Sequence, residues 1–224
     1  MPDTGGLIFD LDDTLALTTP IWSQAGVAGL EPLGREWTAE LTNRCKGMNI
    51  RDVAATVHRL LRLDAPLPEL QERMREALLA AYATLPIEPV PGAVALVRRL
   101  QGLAPIAVAS GSPPEGIRRA VEDLGLKDAV RVCLSSEPMP RGKPHPDVFR
   151  AAAQALGTSG ESCVVFEDSL AGVQAARAAG MFCIVRPSYP SSAFGKAADR
   201  VVSTWDEVTR EQVAAVLAPR RAGR

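Results

Sequence analysis

At 224 residues, with 46% hydrophobic side chains and 25 basic residues against 26 acidic ones, the chain has room for one core plus an inserted module. A net charge of −1 gives no electrostatic reason to expect nucleic acid or an acidic membrane surface as partner, and no apolar run is long enough to span a bilayer. No signal peptide is read at the N-terminus, and Cys45, Cys133, Cys163 and Cys183 lack CxxC spacing, which favours reduced core cysteines and a cytoplasmic protein.

The first predicted element is a buried strand at residues 7–9, an apolar run with β-favouring side chains. From residue 16 the pattern is helical and stays so. Thr18 or Thr19 can cap a helix with Pro20 in its first turn, carrying Ile21, Trp22, Ala25, Val27 and Leu30 to a stop at Gly34. Further helices follow at 36–45, 50–63 and 68–85, punctuated by Pro66 and Pro68. No strand-like alternation occurs between residues 16 and 88, and Pro86, Pro89 and Pro91 stiffen the return. Residues 16–90 therefore read as an all-helical cap inserted into a core made of residues 1–15 and 91–224.

From residue 91 helix and strand alternate strictly. Helices at 92–101, 113–124, 146–156 and 170–179 are interleaved with strands at 105–110, 130–134, 163–166 and 182–185. A strand at 200–202 and a helix at 205–217 close the set. Such alternation argues for an α/β fold, a Rossmann-like parallel sheet covered on both faces. Residues 220–224 read as a solvent-exposed tail.

Polar residues collect where the predicted strands end. The first strand runs into Asp10, Asp12 and Asp13. A buried strand cannot absorb that charge unpaired, so the chain meets a cation or solvent there. In extended chain residues i and i+2 point the same way, which lets Asp10 and Asp12 address one site at the carboxyl end of the strand, where open α/β sheets bind ligands. A solvated acidic turn is the alternative. The second strand ends in Ser110-Gly111-Ser112-Pro113, a loop at a helix N-terminus whose N–H groups favour an anion; Ser112 is read as the helix cap. Lys143, between Gly142 and Pro144, is one of four lysines. It either projects a compact ammonium charge inward or lies exposed on its loop. The strand at 163–166 ends in Glu167-Asp168-Ser169. These two carboxylates, with Asp10 and the carbonyl of Asp12, supply hard oxygen ligands suited to Mg²⁺, and Ser169 fits a helix N-cap.

Taken in order, Asp10-Leu11-Asp12-Asp13-Thr14, Ser110, Lys143-Pro144 and Glu167-Asp168 resemble the haloacid dehalogenase-like phosphohydrolases over essentially the whole chain. Phe166-Glu167-Asp168-Ser169, followed by Gly172-Val173-Gln174-Ala175-Ala176 and Ala179-Gly180-Met181, is similar to the β-phosphoglucomutase and sugar-phosphatase branch. The helical insert fits that branch too. The resemblance implies a Mg²⁺-dependent phosphatase acting on a small phosphomonoester, a sugar or polyol phosphate, through an aspartyl-phosphate. It implies Asp10 as nucleophile and Asp12 as acid, then base. Lys143 and Ser110 would neutralise the phosphoryl oxygens, with Gly111 and Ser112 lining the substrate, and Thr14 would support the motif loop. Asp168 would be the principal distal metal ligand, with Glu167 direct or through water. Asp12 disfavours a dehalogenase, since the metal-free members lack it.

Substrate choice is expected in the insert, where Arg44, Lys46, Gly47, Asn49 and Arg51 form a basic loop cluster. Lys46 and Arg51 are the expected contacts; a solvated charged face is the alternative. Leu17 and Thr19 replace the acidic residues usual in the family after the first motif. Two other functions stay open: a β-phosphoglucomutase-type phosphomutase, and a non-catalytic protein that binds phosphorylated ligands. Trp22 weighs against the first. Mutase relatives keep a histidine twelve residues after the nucleophile, and Trp22 stands there. An indole donates one hydrogen bond and cannot act as a base, but it suits a wall against the substrate. The expected partner is a small phosphorylated metabolite, and the chain is expected to be a monomer or weak dimer.

Overall fold

The computed structural model describes residues 5–218, so the basic tail at 220–224 lies outside the described residues. In chain order the strands are β1 (Gly6–Phe9), β2 (Ile106–Ser110), β3 (Val130–Ser135), β4 (Cys163–Glu167), β5 (Phe182–Val185) and β6 (Arg200–Val201). They form one parallel sheet in the spatial order β3-β2-β1-β4-β5-β6. The order reverses at β1, so the carboxyl ends of β1, β2 and β4 border the crevice where such sheets bind ligands. Alternation along β1 explains its central place: Leu7 and Phe9 face one apolar layer and Ile8 the other, and all three are fully buried. Phe9 stacks on Phe166 of β4 with ring centroids 4.3 Å apart, stiffening the sheet beside the first acidic motif.

Between β1 and β2 the chain forms α1 (Thr19–Leu30), α2 (Ala39–Cys45), α3 (Ile50–Leu61) and α4 (Leu67–Thr84). Buried positions on α3 fall at Ile50, Val53, Ala54 and Val57, one helical stripe, and Asn49 caps it by accepting from the Asp52 N–H at 2.9 Å. On α4 the stripe is Leu70, Met74, Leu78 and Tyr82. The two connecting segments run side by side: Leu17 N–H donates to the Glu88 carbonyl at 2.8 Å and Val90 N–H to the Leu15 carbonyl at 2.9 Å. The insert is thus tied to the core by a short two-stranded neck.

After the neck come α5 (Ala93–Leu100), α6 (Pro114–Asp123), α7 (Asp147–Leu156), α8 (Leu170–Ala178), α9 (Phe194–Ala197) and α10 (Arg210–Leu217). Side chains of α5, α6 and α10 join the layer with Leu7 and Phe9, while α7, α8 and α9 cover the face of Ile8. Three predicted features change. The helix expected at 36–45 starts at Ala39, because the Thr38 hydroxyl accepts from the Leu41 N–H and sets the cap there. The helix expected at 205–217 is a 3₁₀ turn at Trp205–Glu207 followed by α10, since Thr209 and Gln212 form a capping box that restarts it. The short α9 falls between the strands expected at 182–185 and 200–202, where no element is read from the sequence.

Candidate active site

Three carboxylates converge at the strand ends. Asp10 follows β1, Glu167 ends β4 and Asp168 comes next; all are buried, and one oxygen from each lies within 4.8 Å of the others. Lys143, from the loop before α7, stands among them. Its Nζ donates to Asp10 Oδ1 and Glu167 Oε1 at 2.6 Å each, and to the Ala109 carbonyl at 3.3 Å. The same ammonium sits 4.8 Å from the centroid of the Phe149 ring. Burial alone would push the Lys143 amine down, but the Asp10 and Glu167 carboxylates outweigh it and hold it above its ordinary value. Burial pushes the Asp10 carboxyl well up; Lys143 pulls it back, while Glu167 and Asp12 push it further up. Asp168 is also pushed up, by burial first and then by Glu167 and Asp10. Three ionised carboxylates and one ammonium sum to −2 in a site shut off from solvent. Hard oxygen donors carrying that excess fit a divalent cation such as Mg²⁺.

Within this set Glu167 and Asp168 are held differently. Glu167 Oε1 takes Lys143, and its Oε2 accepts from the Asp168 N–H, the Ser169 N–H and the Ser169 hydroxyl at 2.9–3.0 Å. Little of Glu167 is left for a direct metal bond. Asp168 Oδ1 accepts a long bond, 3.4 Å, from the Thr14 hydroxyl, which also places Thr14 beneath the site. Ser169 is the N-cap of α8, as its type suggested, accepting from the Gly172 N–H at 3.1 Å. A Cβ on Gly172 would overlap the Glu167 carboxylate, so only glycine lets α8 begin against it.

Asp12 turns away from that cluster, and its carboxylate is not part of it. It accepts from the hydroxyls of Ser110 at 2.6 Å, Thr18 at 2.7 Å and Ser112 at 2.8 and 2.9 Å. It also accepts from Trp22 Nε1 at 2.8 Å and the Tyr82 hydroxyl at 3.1 Å. Core and insert meet on this one carboxylate. Thr18 takes the N-cap position of α1 with Pro20 in its first turn, as read, but its hydroxyl makes no capping bond, and Ser112 is not the cap of α6. Pro113 and Thr18 occupy the N-cap positions of α6 and α1 without any side-chain bond to the helix, and the Ser112 and Thr18 hydroxyls point instead to Asp12. For α1 the work passes to Asp13, whose backbone takes a left-handed φ of 54°. Its carboxylate accepts from the Thr18 and Thr19 N–H groups at 3.2 and 3.3 Å.

The insert residues expected to select substrate divide. Trp22 and Lys46 reach the cleft, but Lys46 is paired with Asp13. Arg51 does not approach the carboxylates: its guanidinium donates to the carbonyls of Met139 at 3.0 Å and Pro140 at 3.3 Å, tying α3 to the loop that leads into Lys143. Gly111 lies under the insert loop, where a Cβ would come 2.5 Å from the Met48 carbonyl oxygen. One residue not singled out from the sequence belongs here. Tyr82 bonds both Asp12 and the Ser112 hydroxyl, the latter at 2.8 Å; burial and then the Asp12 charge push its hydroxyl pKa well up. Asn49, expected in the basic loop cluster, is buried and donates to the Ser136 carbonyl at 3.4 Å. The available signal for Tyr82 was a polar-tipped aromatic in an aliphatic stripe, whose buried hydroxyl needs a partner.

Residues 5–180 match the family model of haloacid dehalogenase-like hydrolases. The chain is 33% identical over 180 residues to a fructose-1-phosphate phosphatase of Escherichia coli, covering 79% of this chain and 93% of that protein. It is 33% identical over 193 residues to hexitol phosphatase A of the same organism, covering 80% of this chain and 81% of that protein. A solved β-phosphoglucomutase from Clostridium difficile superposes with a TM-score of 0.81 at 19% identity, covering 95% of this chain and 96% of that one, a likeness of fold.

Proposed function

The chain belongs to the haloacid dehalogenase-like hydrolases and is a phosphatase, and from that premise we propose that it hydrolyses a small sugar or polyol phosphate with Mg²⁺ through a phosphorylated Asp10. The observation that carries this reading is Lys143 set between Asp10 and Glu167, with Asp168 alongside. That is a nucleophile, a fixed cation and a metal-competent acid pair at one sheet terminus. The names of the two E. coli relatives support a phosphorylated sugar or polyol as substrate. The buried free thiols of Cys45 and Cys183 fit a cytoplasmic setting.

An Asp10 carboxylate oxygen attacks phosphorus, and the bond from phosphorus to the leaving oxygen breaks. Asp12 gives its proton to that alkoxide. A water then attacks phosphorus, Asp12 takes a proton from it, and phosphate leaves Asp10 free. Lys143 and the Ser110 hydroxyl neutralise the phosphoryl oxygens, where electrostatic stabilisation does most for such transfers. Asp10 and Asp168, with the Asp12 carbonyl and Glu167 through water, would hold Mg²⁺, whose charge supplies the rest of that neutralisation.

Transfer to water rather than to a second sugar hydroxyl is favoured by the residues around Asp12. Trp22 donates its one indole hydrogen to Asp12 and offers no base. The chain has 2 histidines, and both stand apart: His58 bonds the Ala65 carbonyl at 2.8 Å, and His145 lies exposed on its loop. A phosphate-release screen with Mg²⁺ over sugar and polyol phosphates tests the reading. Release that stops on chelation and returns with Mg²⁺ supports it; inactivity across the panel would instead favour a protein that only binds phosphorylated ligands. Incubation with β-glucose 1-phosphate primed with the bisphosphate tests the direction of transfer, and glucose 6-phosphate forming faster than free phosphate would make the protein a mutase.

A further inference from the structure

Three consecutive residues of the insert, Gly47, Met48 and Asn49, press on the core, one each beside Asp168, Ser110 and Lys143. Gly47, with a left-handed φ of 80°, lies on Ser169 and Ala171 at the start of α8, where a Cβ would overlap the Ser169 side chain. The Met48 carbonyl and the Asn49 N–H lie over Gly111, and a Cβ there would come 2.5 Å from the Met48 oxygen and 3.0 Å from the Asn49 nitrogen. The Asn49 amide group and the Asp52 carboxylate lie against Gly142, the residue before Lys143, and would overlap a Cβ on it. Beside this seam the insert is fastened to residues 136–142. Arg51 donates to the carbonyls of Met139 and Pro140, and Arg75 of α4 pairs with Glu137 at 2.7 Å. That strip is anchored in turn to the end of β2: the Ser136 N–H donates to the Ser110 carbonyl at 2.9 Å, and the Ser135 hydroxyl to the Ser112 carbonyl at 2.7 Å. In this pose Asp10 and Lys143 are each 2% exposed, so a phosphate reaches them with the insert moved aside, and the seam re-forms around it. The contact on Gly111 is the least forgiving. At Gly142 the neighbours are side-chain ends that can turn aside, whereas at Gly111 they are insert backbone. The φ of Gly111 is not left-handed, so its conformation does not call for glycine; the approach of the insert does.

We propose that Gly111 is a positioning residue, the seat on which the insert closes rather than a residue that lines the substrate, so that any side chain there holds the site ajar. The kinetic half of the test rests on the phosphatase reading above; the exchange half does not. An alanine would press the insert back by about 1 Å, the gap between 2.5 Å and the roughly 3.4 Å of ordinary contact, and a displacement of that size can cost about 10²-fold in rate. Hydrogen exchange read by mass spectrometry, with steady-state kinetics on a sugar or polyol phosphate, tests Gly111→Ala and Gly111→Val. Both variants should exchange faster than wild type at residues 46–53 and 136–142, while β1 and β4 keep their protection. Their kcat should fall, by about tenfold or more in Gly111→Ala and further in Gly111→Val. Arg51→Ala, which loosens the fastening without touching the cleft, should speed exchange in the same two segments and covers the case of a variant at 111 that does not fold. Wild-type exchange in the folded variants overturns the seat, whether KM rises, as for a residue lining the substrate, or kcat falls, as for a disturbed Ser110 loop. Faster exchange with kcat unchanged overturns it too. Faster exchange at both segments in a protein that releases phosphate from no ester upholds the seat and overturns the phosphatase reading.

Discussion

On the core side of the cleft, Asp10 and Glu167 at strand ends are held at close range by the Lys143 ammonium, with Asp168 beside them, all four buried. On the insert side, Thr18, Trp22 and Tyr82 reach the same cleft from the neck and the helices and bind through neutral donors. In the first group the charges depend on one another: losing Lys143 strands Asp10 and Glu167 in a low-dielectric pocket, and losing a carboxylate removes one of the few groups that can serve as nucleophile or metal ligand. The second group is redundant. Asp12 accepts from five side chains, so one can be removed while the others still hold it. Chemistry should therefore fail abruptly on core substitution and degrade gradually on insert substitution.

The largest expected effect comes from Asp10→Asn, which should cut kcat by about 10⁴-fold or more while the protein stays folded, as removal of a nucleophile does. Circular dichroism alongside a phosphate-release assay checks both halves. A variant retaining a tenth of wild-type turnover would break the contrast between the two sides.

Next is Lys143→Met. It leaves Asp10 and Glu167 buried without their cation, and should cost about 3–5 kcal/mol of stability in chelator, partly regained with Mg²⁺. Denaturant unfolding with and without the metal measures this. No loss in chelator would mean that the buried pair contributes nothing.

The raised Asp10 and Asp168 carboxyls give a pH test whose sign can be fixed in advance. A carboxyl raised on folding adds stability below its ordinary value of 3.8, and that contribution is lost as pH rises through the raised value. Chelated protein should thus lose stability from acid toward neutral pH relative to Mg²⁺-loaded protein, whose cation takes over from the protons. The gap in Tm between the two forms should widen with pH and shrink in Asp168→Asn. A gap independent of pH would contradict the assignment of these carboxyls to the metal.

The smallest effect belongs to the insert. Tyr82→Phe removes one of the five donors to Asp12 and should cost about 0.5–1.5 kcal/mol of stability, with less than about a tenfold loss of kcat. A loss as large as that of Asp10→Asn would show that the insert side is not redundant and would turn the comparison round.

The same division explains what could be read in the chain beforehand. Asp10, Glu167 and Asp168 follow apolar runs, and charge at the end of a buried strand has few explanations, so residue type and position sufficed; Lys143 lies on a loop, and the sequence left it either inward or exposed. The six strands were legible for the same reason, to within one or two residues. On the insert side spacing gave the helices but not their contacts. Tyr82 fits the i, i+4 stripe of α4 as ordinary core, and nothing local says that its hydroxyl crosses to Asp12 and Ser112. Ser112 and Thr18 carry the composition of helix caps, yet their hydroxyls turn to donate to Asp12, which lies 100 residues from Ser112 and 6 from Thr18. Arg51 reads as a substrate contact by charge, and only the fold reveals that the carbonyls of Met139 and Pro140 claim it. Such hydrogen bonds between separate elements leave no periodic trace in the sequence.

The central claim, a core that performs phosphoryl transfer through Asp10, is tested most directly by rapid acid quench during turnover with Mg²⁺ and a ³²P-labelled substrate, followed by peptide mapping. The expected result is label on the peptide carrying Asp10, disappearing when unlabelled substrate is chased in and absent from both Asp10→Asn and chelated protein. Steady turnover with no label on that peptide, or with label on another residue, would contradict it.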